Sequence, residues 1–339
     1  MLKFYKSQSL NWGCDFFVYI IFYLYLCKRI NKQKMKVIVS MATIPSRKNR
    51  LLENIPSLIH QRYHYDKLVI NVLDNLSDED YEFYNKIAQK DIRIVINKVE
   101  DKWKSCNKLL PMLKLFPDDI IITVDDDIFY PNDCVGTLMR QYVETPDCIV
   151  AQETNPVVIE NGQIKFINVA DIKLMQRSWS KYLSGCCLFP PHVFDGSNVF
   201  DWDKMMEVTN GTHDELWFWI NSTLNGVMVV GLNYIWTFEF DVITKWNNDE
   251  FKLSNININE GKAEVYLQKI NEIYGEELLK KLYSEKAEFT VHKDNILAFM
   301  VLLSSINKYY SSRTSYGYKI KTVDLTKGWS VVLNSILNK

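Results

Sequence analysis

Pro117-Asp118-Asp119-Ile120-Ile121-Ile122-Thr123-Val124-Asp125-Asp126-Asp127-Ile128-Phe129-Tyr130-Pro131 is the stretch around which this chain is organised. Ile120 to Val124 is a short apolar, β-branched run bounded by Pro-Asp-Asp, the pattern of a fully buried strand. Three consecutive carboxylates follow where that strand ends, and Pro131 prevents its continuation as a central strand. Open α/β sheets bind ligands at the C-terminal ends of their strands. Three adjacent anions repel one another, so a positive partner is expected there. Oxygen donors of this kind suit Mg²⁺ or Mn²⁺, which also hold substrate phosphates. The plain alternative is a solvated acidic turn.

Working outward, the preceding residues alternate strand and helix. Lys36 to Ser40 reads as a first buried strand, Leu68 to Leu73 as a second and Ile92 to Asn97 as a third. Helices are expected over Asn49 to Arg62, with Leu52, Ile55, Leu58 and Ile59 in helical register, over Asp78 to Gln89, and over Lys108 to Leu115, where Pro111 lies near the start. Another covers Asn132 to Thr145. Such alternation implies right-handed βαβ units and a mainly parallel sheet. The pattern then loosens. Cys148 to Gln152, Ile164 to Val169 and Val227 to Leu232 read as strands, Phe200 to Val208 and Glu215 to Asn221 as helices. Ser184 to Pro191 reads as a compact turn of small residues, and Glu260 to Leu282 as a charged helix pair. A hydrophobic helix is expected over Asn295 to Ile306, ahead of a basic aromatic segment around Tyr309 to Lys321.

The bulk composition, 47% apolar and 24% charged over 339 residues, is that of a chain able to bury a core. A net charge of -1 argues against a general polyanion or nucleic-acid binder. Residues 1–50 are basic, however, with Asp15 their single acid. Residues 16–27 are apolar and aromatic but shorter than the ~20 residues that span a bilayer. They fit an interfacial helix, with Lys28-Arg29 at the lipid phosphates, or a helix packed on the protein itself. Seven scattered cysteines without CxxC spacing show no zinc framework and fit free thiols in a reducing compartment. Cys186 and Cys187 read as small buried residues.

The order of features resembles a glycosyltransferase of the GT-A fold, of the inverting family-2-like bacterial type. Val37 to Arg47 is similar to the first strand and the loop under the nucleotide base, and Ile70 to Asn75 to the second strand with its terminal acid. Ile121 to Asp127 resembles the metal-binding DxD segment. Gly185 to Pro191, followed by Asp214-Glu215-Leu216-Trp217, resembles the acceptor loop and catalytic acid pair. The likeness covers about residues 36–250. It implies Thr43, Pro45, Arg47, Asp74, Lys108, Asp125 and Asp126 around a nucleotide sugar, with UDP the expected nucleotide, and a Mn²⁺ or Mg²⁺ ion held by Asp127 and Asp125. Asp126 is expected to point at the ribose or at a water beside the metal. The family's acid pair usually ends in Asp, whereas Glu215 stands here, so either Asp214 or Glu215 is the general base, with position favouring Glu215.

Around that frame, Lys102, Lys104 and Lys108 read as diphosphate contacts or as a solvated face, and Trp179, Trp202, Trp217 and Trp219 as sugar platforms or core. His213 reads as a hydrogen-bonded neighbour of the acids or a metal ligand, and Trp246 to Glu250 as a segment closing over the nucleotide. The chain divides into a basic, membrane-leaning segment (1–35), the GT-A domain (36–250) and a mostly helical extension (251–339). The expected reaction moves a sugar to a glycan or lipid-linked oligosaccharide. The expected location is cytoplasmic, peripheral at the inner face of the inner membrane. Two other readings compete. One is a haloacid-dehalogenase-like phosphatase using Asp125, although three strands precede the acids and Ile128-Phe129 departs from that motif. The other is a membrane-associated scaffold that has lost its chemistry.

Overall fold

A computed structural model describes residues 35–152, 154–155, 157–166, 176–182, 185–232, 241–242, 262–284 and 288–289. The expectations for residues 16–27, 246–250, 295–306 and 309–321 lie outside that set. Val37–Ala42 (β1), Lys67–Leu73 (β2), Ile94–Val99 (β3) and Ile120–Val124 (β4) are parallel neighbours in the order β4-β1-β2-β3. The sheet continues beyond β4 through Ile149–Ala151 (β5), Gln176–Ser178 (β6), Cys186–Phe189 (β7), Val229–Gly231 (β8) and Glu288–Phe289 (β9). Its full order is β9-β6-β8-β5-β7-β4-β1-β2-β3. Following the pairings outward, only β7 and β6 run against the rest, so the sheet is mainly parallel.

Strands β1, β2 and β4 are buried on both faces, as a covered parallel sheet requires, while the edge strand β3 is partly exposed. The alternation along the strands sorts their side chains into two cores. Val37, Val39, Met41, Ile120, Ile122 and Val124 join Leu51, Ile55 and Leu58 of helix α1 (Lys48–Ile59), Tyr84 and Ile87 of α2 (Asp78–Ala88), and later Leu138. Ile38, Val69 and Ile121 join the opposite core, with Leu110 and Met112 of α3 (Leu110–Leu115). Leu138 belongs to α4 (Cys134–Glu144) and Val208 of the second core to α5 (Trp202–Thr209). Helix α6 (Asp214–Leu224) supplies Leu216 to Ile220 and α7 (Lys262–Ser284) a stripe of Tyr266, Ile270, Tyr274, Leu278 and Leu282. Fully burying such side chains stabilises by roughly 1.5–3 kcal/mol each.

Two expectations are corrected. Within the stretch expected to be a turn, Cys186–Phe189 is instead a fully buried strand between β4 and β5. Its cysteines act as small apolar residues, and the flanking Gly and Pro bound the strand instead of breaking it. Where a helix pair was expected, Lys262–Ser284 is one helix, and its buried stripe at four-residue spacing runs past Gly275 without a break. A Cβ at Gly275 would meet nothing within 4 Å, so no neighbour forces a turn there. Among the described residues no helix is long and apolar enough to cross a membrane.

Candidate active site

The parallel strands end together, so the loops after β1, β2 and β4 share one edge of the sheet. Asp125 to Asp127 begin where β4 stops, and a chain of hydrogen bonds fixes that corner. The Asp125 amide donates to the Tyr130 hydroxyl at 2.7 Å, and that hydroxyl donates to the Gly185 carbonyl at 2.6 Å. Asn54 of α1 donates to the Asp125 carbonyl at 2.9 Å. Gly185 has φ +121, and a Cβ there would lie 2.9 Å from Gln152 Oε1, so glycine is required at this approach.

The three carboxylates face different partners. Asp126 is 2% exposed and points back into the β1 loop. Its two oxygens accept from Thr43 Oγ1 at 2.7 Å and Arg47 Nη1 at 2.9 Å. Burial raises its pKa, against the pull of Arg47. Asp126, expected to point at the ribose or at a water beside the metal, instead joins the loop expected under the nucleotide base to the acidic corner. Asp127 is half-buried, with Arg50 Nη1 3.8 Å away. Asp125 Oδ1 lies 3.1 Å from Lys108 Nζ. Burial pushes Asp125 up to about 6, aided by the charges of Asp127 and Asp214 and opposed by Lys108.

The acid pair arrives from the far side. Asp201 caps α5 by accepting from the Lys204 amide, and Asn210 and Gly211, both left-handed, end that helix and turn the chain. Helix α6 then starts at Asp214, with both acids in its first turn, where the helix dipole favours them. Thr212 is tied to Tyr266 of α7 by a 2.9 Å hydroxyl contact. Asp214 Oδ2 lies 3.0 Å from Lys108 Nζ. Glu215 Oε2 instead lies 2.8 Å from His213 Nδ1. Although burial opposes ionisation, His213, Lys181 and Lys108 hold Glu215 well below the usual carboxylate range. Burial lowers Lys181, against the pull of Glu215 and Asp214.

Lys108 thus sits between the two corners with 14% of its side chain exposed. Its own carbonyl accepts from Ser40 Oγ at 2.7 Å, and Asn71 Nδ2 donates to that same hydroxyl at 2.9 Å. Burial would lower Lys108, but Asp125 and Asp214 outweigh it and hold the ammonium well above its ordinary value. Lys108, Thr123, Tyr182, Asp214 and Glu215 line a small cavity at the junction.

Of the residues expected from sequence, Thr43, Arg47, Lys108, Asp125, Asp126, Asp214 and Glu215 are linked by these contacts. Pro45 opens the 3₁₀ turn Pro45–Arg47, and Asp74 is exposed just beyond β2. Lys102 is paired with Glu100 and Lys104 is exposed, which is the solvated reading. Of the two readings of the tryptophans, the core one holds for Trp179, Trp217 and Trp219. Trp217 and Trp219 are fully buried, donating to the Val199 and Trp179 carbonyls, and Trp179 is buried with them. Trp202 packs edge-on against Trp103. Tyr130, Asn54, Arg50 and Lys181 were not anticipated. Asn54, Arg50 and Lys181 act on residues distant in the chain, and Tyr130 ties its near neighbour Asp125 to the distant Gly185.

Asp125 and Asp127 suit a hard divalent cation, because they are oxygen donors in a crowded anionic corner that added positive charge would relieve. Among the described residues, no group of three or more His, Cys, Asp or Glu could hold a metal by itself. Diphosphate oxygens and water would have to complete the shell, as is usual for Mg²⁺.

Residues 42–194 match the family model described as Glycosyl transferase family 2. Among solved structures the chain is similar to S. aureus TarS 1-349 in complex with UDP, at 14% identity and a TM-score of 0.43, over 59% of this chain and 58% of that one. The chain therefore spans less than two thirds of that structure. It is also similar to the mannosyltransferase PcManGT from Pyrobaculum calidifontis in complex with GDP-Man and Mn²⁺, at 10% identity and a TM-score of 0.43, over 96% of each chain. A probable cobalt-precorrin-6B C(15)-methyltransferase (decarboxylating) of Sulfurisphaera tokodaii is 26% identical over 140 residues, 38% of this chain and 69% of that protein. The family match thus covers less than half of the chain, running from the end of β1 through the acidic corner at Asp125–Asp127 to just beyond β7.

Proposed function

We propose that this protein transfers a sugar from a nucleoside diphosphate donor to a hydroxyl of a glycan or lipid-linked oligosaccharide, with inversion at the anomeric carbon. The observation that carries this reading is the shared ammonium of Lys108, 3.1 Å from Asp125 and 3.0 Å from Asp214. It brings the corner suited to a donor diphosphate face to face with a carboxylate suited to deprotonating an acceptor.

Each residue then has a defined task. Thr43 and Arg47 hold the loop under the nucleotide through Asp126. Lys108 neutralises the diphosphate. Asp127 and Asp125 would hold Mn²⁺ or Mg²⁺, which when bound neutralises the charge that develops on the departing diphosphate. The base takes the acceptor proton on a carboxylate oxygen as the hydroxyl attacks. Position along the sequence favours Glu215 for that task, but the geometry favours Asp214. Glu215 is committed to His213 and held strongly ionised, which makes it a weak proton acceptor, whereas Asp214 faces the donor acids through Lys108. A single base opposite the donor fits direct displacement. UDP as the nucleotide, the acceptor class and a peripheral place at the cytoplasmic face of the inner membrane belong to the same reading.

The test is turnover of UDP- and GDP-sugars with Mn²⁺, with product anomeric configuration read by NMR. Turnover with inversion, lost in Asp127→Ala, supports the reading. Absence of turnover with every nucleotide sugar, or retention, overturns it.

A further inference from the structure

Lys108 is ion-paired with both corners of the site, 3.1 Å from Asp125 and 3.0 Å from Asp214. Its backbone is fixed by Ser40 and Asn71, so the ammonium can move only through its own side-chain torsions. Within that range it touches two anions from opposite sides of the site, and the Asp214 carboxylate it touches is only 5% exposed. A carboxylate whose lone pair is engaged by an ammonium is a poor proton acceptor. A diphosphate arriving beside Asp125 offers the same ammonium a more highly charged partner.

We propose that Lys108 is a latch on the base: its ammonium pairs with Asp214, and a nucleoside diphosphate draws it away, leaving Asp214 free to accept the acceptor proton. The latch rests on the donor-site reading above. It makes Lys108 a positioning residue for Asp214 as well as a diphosphate contact. It also frees the base only once the donor is seated. Competition between Asp214 and the diphosphate for one ammonium is a coupling free energy, and coupling is reciprocal. Removing the charge of Asp214 must then tighten nucleotide binding.

The experiment is a double-mutant cycle read by calorimetric titration of UDP and of GDP, each with Mn²⁺, into full-length protein. Asp214→Asn is expected to bind the preferred nucleotide about fivefold or more tighter than wild type. Lys108→Met is expected to bind it more weakly, and adding Asp214→Asn to Lys108→Met to change nothing further. Thermal melts check folding, and Lys108→Gln takes the place of Lys108→Met if the latter does not fold. Unchanged or weaker binding by Asp214→Asn overturns the latch. So does equal tightening in the Lys108→Met background, which would be simple relief of repulsion. Failure of wild type to bind either nucleotide overturns the donor site itself, and the latch with it.

Discussion

The acidic corner after β4 and the acid pair at the start of α6 are built alike. In each, one carboxylate is committed to the scaffold and another faces across the site. Asp126 is held by Thr43 and Arg47, and Glu215 by His213. Asp125 and Asp214 meet on Lys108. The difference lies in what fixes each corner. The first hangs from the ends of parallel strands and from Tyr130, Asn54 and Gly185. The second hangs from a left-handed turn and a hydroxyl contact to α7. Adjacent carboxylates in one motif therefore carry different duties, which only their partners reveal.

The largest effect that could break this comparison is at the proposed base. Asp214→Asn is expected to lower kcat by about 10²–10⁴ with folding retained, measured by donor turnover and circular dichroism. Full activity in that variant would move the base to Glu215. Next comes the scaffold acid of the first corner. Asp126→Asn leaves Arg47 and Thr43 facing a neutral amide in a buried site and is expected to cost about 3 kcal/mol of unfolding free energy in urea melts. An Asp126 variant of unchanged stability but lost catalysis would contradict its structural assignment.

Glu215 sharpens the comparison through pH. Its folded pKa is depressed, so its ionised form adds stability that is present above the ordinary glutamate value near about 4.3 and is lost as pH falls below it. Glu215→Gln should be less stable than wild type at pH 7, with the gap closing as the solution is acidified toward pH 3. Its kcat should fall by less than about tenfold, since the base remains. The smallest expected effect is at Thr43→Val, about 1 kcal/mol for the loss of one buried hydrogen bond, with Arg47 still holding Asp126.

These corners were unequally legible in the amino-acid sequence. The first is local: Ile120 to Val124 announces a buried strand, the acids follow at once, and the helices between β1 and β4 show their periodicity. The site pairing is not local. Lys108 reaches Asp125 from the same stretch of chain, but Asp214 returns to it only after the sheet has added β5, β7 and α5. Cys186–Phe189 looked like a turn because its residues are small and its flanks are Gly and Pro, and only its place between β4 and β5 makes it a strand. Sequence left Trp217 and Trp219 open between sugar platforms and core, because the carbonyls that satisfy their indoles, Val199 and Trp179, are distant in the chain.

The measurement that bears most directly on the two-corner site is Mn²⁺-dependent turnover of UDP- and GDP-sugars by wild type, Asp127→Ala and Asp214→Asn, assayed side by side. Wild type should release nucleotide diphosphate, and each variant should be slower by at least about 100-fold while folding normally. Equal turnover in all three proteins, or release of phosphate from a simple ester that depends on Asp125 alone, would contradict a donor corner and a base facing each other across Lys108.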